Sequence, residues 1–119
     1  MSKAAVSLTT GLEDPEKVTV ALLVAVGAAE AGRDTVMFLT KEAVRLATEG
    51  VPAGVACDGC PPIPELVKRY EAAGGALLVC PICFAARQLD ATTLGPNASI
   101  GGTVQLWEWI GDGATTFSY

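Results

Sequence analysis

The sequence predicts an α/β fold with a parallel sheet that helices cover on both faces. Its 119 residues, half of them apolar, are enough for one domain with a hydrophobic core, and neither a linker nor a repeat divides residues 1–119. Short apolar segments alternate with helical patterns, which is typical of parallel sheets. The predicted strands are Ala4–Leu8, Thr35–Leu39, Ala76–Val79 and Thr115–Ser118, with a weaker one at Ala98–Ile100.

The first helix is apolar around its whole circumference. Asp14 and Pro15 predict its start, as N-cap and first helical residue, and Gly32 predicts its end. Residues 18–29 are almost entirely apolar, whereas a sheet can cover only one side of a helix. We therefore expect the other side to contact a second copy of the chain, with burial inside one subunit as the alternative.

Four further helices follow from capping residues and apolar spacing. They are predicted at residues 41–49 with Thr40 as cap, at 64–73 before Gly74-Gly75, at 81–89 and at 104–110. Glu65 and Arg69 are expected to pair on the outer face of the third helix. Trp107 and Trp109 are expected to be core or subunit contacts. One face of the fourth helix is expected to align Ile82, Ala85, Ala86 and Leu89.

The composition argues against several classes of protein. Without histidine, the chain cannot build a Ser-His-Asp or Cys-His active site, a histidine zinc site or a phosphohistidine. A net charge of −5 with scattered basic residues argues against nucleic acid as a partner. The N-terminus lacks the features of a signal peptide, and no apolar stretch is long enough to span a membrane. We expect a cytoplasmic protein whose cysteines are reactive or metal-bound rather than structural disulfides.

Two C-x-x-C pairs supply the candidate functional residues. Cys80 and Cys83 directly follow the Ala76–Val79 strand and open the next helix, so they are predicted at the carboxyl edge of the sheet, where such sheets bind ligands. Cys57 and Cys60 belong to the long connection 50–63, which has to return to that edge before the third helix. We expect the two pairs to converge.

Reactive thiol chemistry is the leading prediction for Cys80 and Cys83. Cys80 is predicted at the N-cap and Cys83 at N3, where free backbone N–H groups favour a thiolate. A thiolate there is suited to thiol–disulfide exchange, or to attack on a sulfane sulfur that forms a persulfide. The alternative is a small apolar filler, which is the favoured interpretation for Cys57 and Cys60.

A zinc site formed by Cys57, Cys60, Cys80 and Cys83 is the main rival prediction. The C-x2-C-x19-C-x2-C spacing fits four-cysteine zinc binding. However, the intervening residues encode a helix and a buried strand rather than the hairpins of a zinc ribbon, so we expect no cofactor. A disulfide shared between the pairs, and an oligomeric binding scaffold with inert cysteines, are further alternatives.

Several short motifs occur in an order that is similar to that of a known family. They are Leu8-Thr9-Thr10-Gly11, Asp14-Pro15-Glu16, Val36-Met37-Phe38-Leu39-Thr40, Glu42-Ala43-Val44, Gly74-Gly75, Val79-Cys80-Pro81-Ile82-Cys83 and Arg87. With these motifs the chain resembles, nearly from end to end, the DsrE/DsrF-like family of sulfur-relay proteins. It departs from the family pattern at Gln88, where we expect glycine.

The resemblance implies a fold, an assembly and a function. The implied fold is a three-layer α/β/α sandwich with a five-stranded, mainly parallel sheet, and the implied assembly is a trimer or hexamer. Cys80 matches the cysteine that carries a persulfide in sulfur-relay members, and Cys83 matches the second cysteine of the C-x-x-C branch. We therefore expect a small sulfur carrier or sulfurtransferase-like protein that exchanges sulfur with a donor or acceptor protein.

Overall fold

The computed structural model describes residues 2–50 and 58–119, which form five strands and four α-helices together with two 3-10 helices. The strands are β1 (Ala4–Leu8), β2 (Thr35–Leu39), β3 (Ala76–Val79), β4 (Ala98–Ile100) and β5 (Thr115–Ser118). The helices are α1 (Pro15–Glu30), α2 (Ile63–Ala72), α3 (Pro81–Ala86) and α4 (Thr103–Ile110), and the 3-10 helices are Lys41–Ala47 and Ala91–Thr93. All five predicted strands are confirmed at their predicted bounds.

The sheet has the order β4-β3-β2-β1-β5, and all its neighbouring strands are parallel. With helices on both faces, this is the predicted α/β/α sandwich. The carboxyl ends of the three central strands are level, because Leu39 is paired with Leu8 on one side and with Val79 on the other. The residue after Val79 therefore lies at the carboxyl edge, as predicted.

One face of the sheet packs against α1 and α2. Alternate strand residues point to this side, and they are buried together with apolar residues of both helices and of the Lys41–Ala47 3-10 helix. Tyr70 of α2 is 1% exposed, and its hydroxyl contacts the carbonyl oxygens of Ala76 at 2.7 Å and Thr35 at 3.3 Å. Burial raises the pKa of Tyr70 far above its usual range. The hydroxyl therefore stays protonated and keeps α2 attached to the strands.

The other face has a smaller core. Its buried residues are Ala5, Val36, Phe38 and Leu78, which pack against half-buried Leu106 and Trp109 of α4. Lys3 adds a contact at the amino edge, since its Nζ lies 5.3 Å from the centre of the Trp109 ring and donates to the Trp109 carbonyl oxygen at 2.6 Å. Trp107 is 69% exposed, so it is not a core residue, whereas Trp109 packs as expected.

The helix boundaries differ from the predictions in two places. The segment after β2 forms a 3-10 helix that ends at Ala47, and Thr40 makes no side-chain cap. α3 has only six residues and ends at Ala86, three residues before the predicted end. Gln88, at the position where glycine was expected, takes a φ of 52°. A residue in the left-handed region cannot continue a right-handed helix, which explains the early end of α3.

Two predicted contacts are wrong. Arg69 pairs with Glu30 of α1 rather than with Glu65, because Glu30 offers both carboxylate oxygens to the guanidinium, at 2.9 Å and 3.3 Å. The buried residue of α3 is Phe84, while Ile82, Ala85 and Ala86 are exposed, and of the predicted face Leu89 packs against the core from beyond the end of the helix. Burying the phenyl ring removes more apolar surface from water than burying Ile82 does.

The first helix is apolar on two sides, as the sequence indicates. Val18, Leu22 and Val26 are buried, whereas Val20 and Leu23 are 43% and 44% exposed. No helix in the described ranges combines the length and apolar character that crossing a membrane requires.

Candidate functional site

Cys80 lies where the central sheet passes into α3. Its backbone N–H donates to the Leu39 carbonyl oxygen at 3.0 Å, which extends the β2–β3 ladder by one residue. Its carbonyl oxygen accepts from the Phe84 N–H at 3.0 Å, which begins the hydrogen bonding of α3. Cys80 is thus the N-cap of the helix, and Pro81 follows as the first helical residue, as predicted.

Both cysteines of this pair are free thiols, and both are half-buried. Cys80 packs at the border between the two cores, and Cys83, one turn further on, packs against the core on the α1/α2 side. The neighbouring Pro81 and Ile82 are exposed. The pair is therefore not sealed in the core, and the surface beside it is apolar.

Glu42 and Arg87 form an ion pair beside the cysteines that the sequence analysis did not predict. Arg87 Nε donates to Glu42 Oε2, and Arg87 Nη1 donates to the carbonyl oxygen of Cys83 at 3.2 Å. Arg45 Nε donates to the other Glu42 oxygen at 2.9 Å. The hydrogen bonds from Arg87 and then Arg45 hold the pKa of Glu42 below its usual range, so Glu42 is a carboxylate at neutral pH.

No local signal in the sequence pairs Glu42 with Arg87. They are 45 residues apart, and the charge spacing that predicts ion pairs within a helix does not reach across two elements. The fold brings them together because the Lys41–Ala47 3-10 helix, which contains Glu42, packs against α3.

The first C-x-x-C pair is only partly within the described structure. Cys57 lies outside the described residues, so the predicted convergence of the two pairs stays a prediction. Cys60 is disulfide-bonded, which departs from the expectation that the cysteines would not be in disulfides. An oxidised Cys60 has no thiolate to offer a metal, so the zinc alternative needs this bond to be reduced.

No group of three or more cysteine, aspartate or glutamate residues within 2–50 and 58–119 is placed to hold a metal ion. Cys80 and Cys83 could supply two ligands, and the four-cysteine site would also need Cys57 and Cys60. Zinc binding by the four residues therefore stays a prediction.

Comparisons with known proteins agree in fold along the whole chain. Residues 2–119 match the model of the DsrE/DsrF-like family. The ychN protein from E. coli superposes with a TM-score of 0.82 at 20% identity, and the protein of unknown function MTH1491 from Methanobacterium thermoautotrophicum does so with 0.73 at 11%. Each of these structures and this chain cover each other completely. A comparison with curated proteins finds no match.

Proposed function

Because the chain belongs to the DsrE/DsrF-like family, whose members generally act in sulfur relay, we propose that it carries sulfur as a persulfide on Cys80. The supporting observation is the position of this free thiol. It is half-buried at the carboxyl edge, at the end of a central strand, with exposed residues beside it. Such a thiol is held in place by the backbone and can still be reached by another molecule.

Loading of Cys80 is a sulfur exchange that needs no oxidant. The Cys80 thiolate attacks the outer sulfur of a persulfide donor, so that a new S–S bond forms at Cys80 and the donor's own S–S bond breaks. The electron pair of the broken bond leaves with the donor as its thiolate. The chain has no histidine, so no histidine base takes part in this step.

Unloading can follow two routes. The thiolate of an acceptor protein can attack the outer sulfur and carry it away as its own persulfide, which returns Cys80 as a thiolate. Alternatively, the Cys83 thiolate attacks the inner sulfur, so that a Cys80–Cys83 disulfide forms and the outer sulfur leaves as hydrosulfide. In the second route Cys83 is a resolving thiol, and a dithiol reductant resets the pair.

A comparison of two serine variants tests this assignment. Cys80→Ser removes the sulfur carrier, and Cys83→Ser is the matched control one helical turn away. Both are incubated with a low-molecular-weight persulfide, and peptide-resolved mass spectrometry locates the added sulfur atom. We expect loading of the wild type and of Cys83→Ser at residue 80, and none at residue 80 in Cys80→Ser. Cys83→Ser protein that gains no sulfur at Cys80 contradicts the proposal, because in this variant no second thiol of the pair can displace the added sulfur again.

The proposal includes a homo-oligomer, a trimer or a hexamer. It is supported by the outer side of α1, where Val20 and Leu23 are exposed, and by Phe117 of the adjoining edge strand β5, which is 48% exposed. Large apolar side chains that remain exposed on neighbouring elements are typical of surfaces that a second subunit covers.

A further inference from the structure

Arg87 closes the end of α3 with its side chain. In a regular α-helix its backbone N–H would donate to the carbonyl oxygen of Cys83, four residues earlier. Here that N–H donates to the Phe84 carbonyl oxygen at 3.3 Å, and the guanidinium donates to the Cys83 carbonyl oxygen instead. The carbonyl of the second cysteine is therefore held by Arg87, and Arg87 is held by Glu42.

The backbone on each side of this contact is bent in the same unusual way. Lys41, directly before Glu42, has a φ of 54°, and Gln88, directly after Arg87, has a φ of 52°. Non-glycine residues in the left-handed region persist only where the surrounding contacts hold them. The two bends lie directly beside the two residues that meet across the α3 packing contact.

The Arg87–Glu42 pair is also more shielded than the Arg69–Glu30 pair, which joins α2 and α1. The Arg87 side chain is 23% exposed, whereas that of Arg69, which binds Glu30, is 44% exposed. Ion pairs that are removed from solvent fix geometry more firmly than exposed ones, because water competes less for their hydrogen bonds.

We propose that Arg87 is a positioning residue for the Cys80–Cys83 pair, which it serves by holding the turn of α3 that carries Cys83 within reach of Cys80. The inference rests on the proposed function, because it concerns the step in which the Cys83 thiolate displaces hydrosulfide from the Cys80 persulfide. Arg87 touches neither reacting sulfur in this step. It sets how often Cys83 is in place to attack.

The equilibrium with glutathione measures this effect directly. Glutathione disulfide takes two electrons and two protons from the cysteine pair, which forms the Cys80–Cys83 bond and two glutathione molecules. Its equilibrium constant gives the effective concentration of one thiol at the other. Peptide-resolved mass spectrometry separates this bond from the disulfide at Cys60.

Three variants of the full chain distinguish the positioning effect of Arg87 from the effect of its charge and from a general loss of stability. We expect Arg87→Gln to lower the effective concentration roughly tenfold. Arg87→Lys should fall between it and the wild type, because lysine keeps the charge but has no planar fork to bind Glu42 and the Cys83 carbonyl together. Arg69→Gln is the control, since it removes the Arg69–Glu30 pair away from the cysteines, and it should leave the value unchanged.

Hydrosulfide release from persulfide-loaded protein supplies a second readout, and we expect Arg87→Gln to slow release more than loading. The positioning role is overturned if Arg87→Gln unfolds cooperatively in urea and has the same glutathione equilibrium constant as the wild type. It is also overturned if Arg69→Gln lowers the effective concentration as much as Arg87→Gln does. Failure of the proposed function is recognised separately, because it would show as absent loading of Cys80 in Cys83→Ser, where the release step cannot occur.

Discussion

The two faces of the sheet hold their helices in different ways. On the α1/α2 face, two helices and a 3-10 helix bury alternate residues of the three central strands, and Tyr70 adds hydrogen bonds to two strand carbonyls. On the other face, among the residues that the structure describes, α4 is the helix that covers the four buried residues, and it leaves Trp107 exposed. The larger apolar core therefore lies on the α1/α2 side, and Cys80 lies where the two cores meet.

Two glycines sharpen this comparison and give the largest expected effect. A methyl group at Gly75 would overlap the ring of Tyr70, which is buried and held by hydrogen bonds. At Gly101 it would lie 2.7 Å from Leu78 Cδ1, the end of a flexible side chain. In urea unfolding, we expect Gly75→Ala to lower the free energy of unfolding by about 3 kcal/mol and Gly101→Ala by about 1 kcal/mol. Equal losses would contradict the difference between the faces.

The hydroxyl of Tyr70 gives the next largest effect. Tyr70→Phe keeps the ring and removes the donor shared by Ala76 and Thr35, so we expect a loss of about 1 to 2 kcal/mol in the free energy of unfolding. Tyr119→Phe is the matched control, because the described structure shows no hydrogen bond at the Tyr119 hydroxyl. A loss in Tyr70→Phe no greater than in the control would mean that α2 is held by apolar contact alone.

Exposed apolar residues on the two outer surfaces give the smallest effect on unfolding. Leu23→Ser on α1 and Trp107→Ser on α4 should each change the free energy of unfolding of the isolated subunit by less than about 0.5 kcal/mol. We expect Leu23→Ser to lower the subunit number in native mass spectrometry and Trp107→Ser to leave it unchanged. A monomeric wild type would overturn the proposed oligomer. A lower subunit number in Trp107→Ser but not in Leu23→Ser would place the interface on α4 instead of α1.

The strands were the most predictable part of the chain, for a physical reason. A strand in a parallel sheet is covered on both faces. Thr35–Leu39 and Ala76–Val79 are therefore short apolar runs, with turn residues before and after them. The place of Cys80 follows from such a run, because Pro81 directly after it marks a helix start. Local sequence was sufficient for these features.

Contacts between elements were not predictable from local spacing. Glu65 has the correct spacing for Arg69, yet the guanidinium binds Glu30, since the packing of α1 on α2 brings both oxygens of that carboxylate within hydrogen-bonding distance. Glu42 and Arg87 meet for the same kind of reason. The end of α3 depends on the backbone of Gln88, a residue type that does not by itself predict a left-handed conformation.

The hydrogen bond between the Cys80 N–H and the Leu39 carbonyl has a consequence for the proposed transfer of sulfur. The backbone of Cys80 is hydrogen-bonded to a strand on one side and to a helix on the other, so its Cα is tied to both elements and its sulfur moves mainly by rotation about χ1. A group bound to that sulfur can therefore move only a short distance and stays at the carboxyl edge of the sheet. In the proposed transfer, the acceptor therefore has to bring its own reactive atom to the exposed surface formed by Pro81 and Ile82.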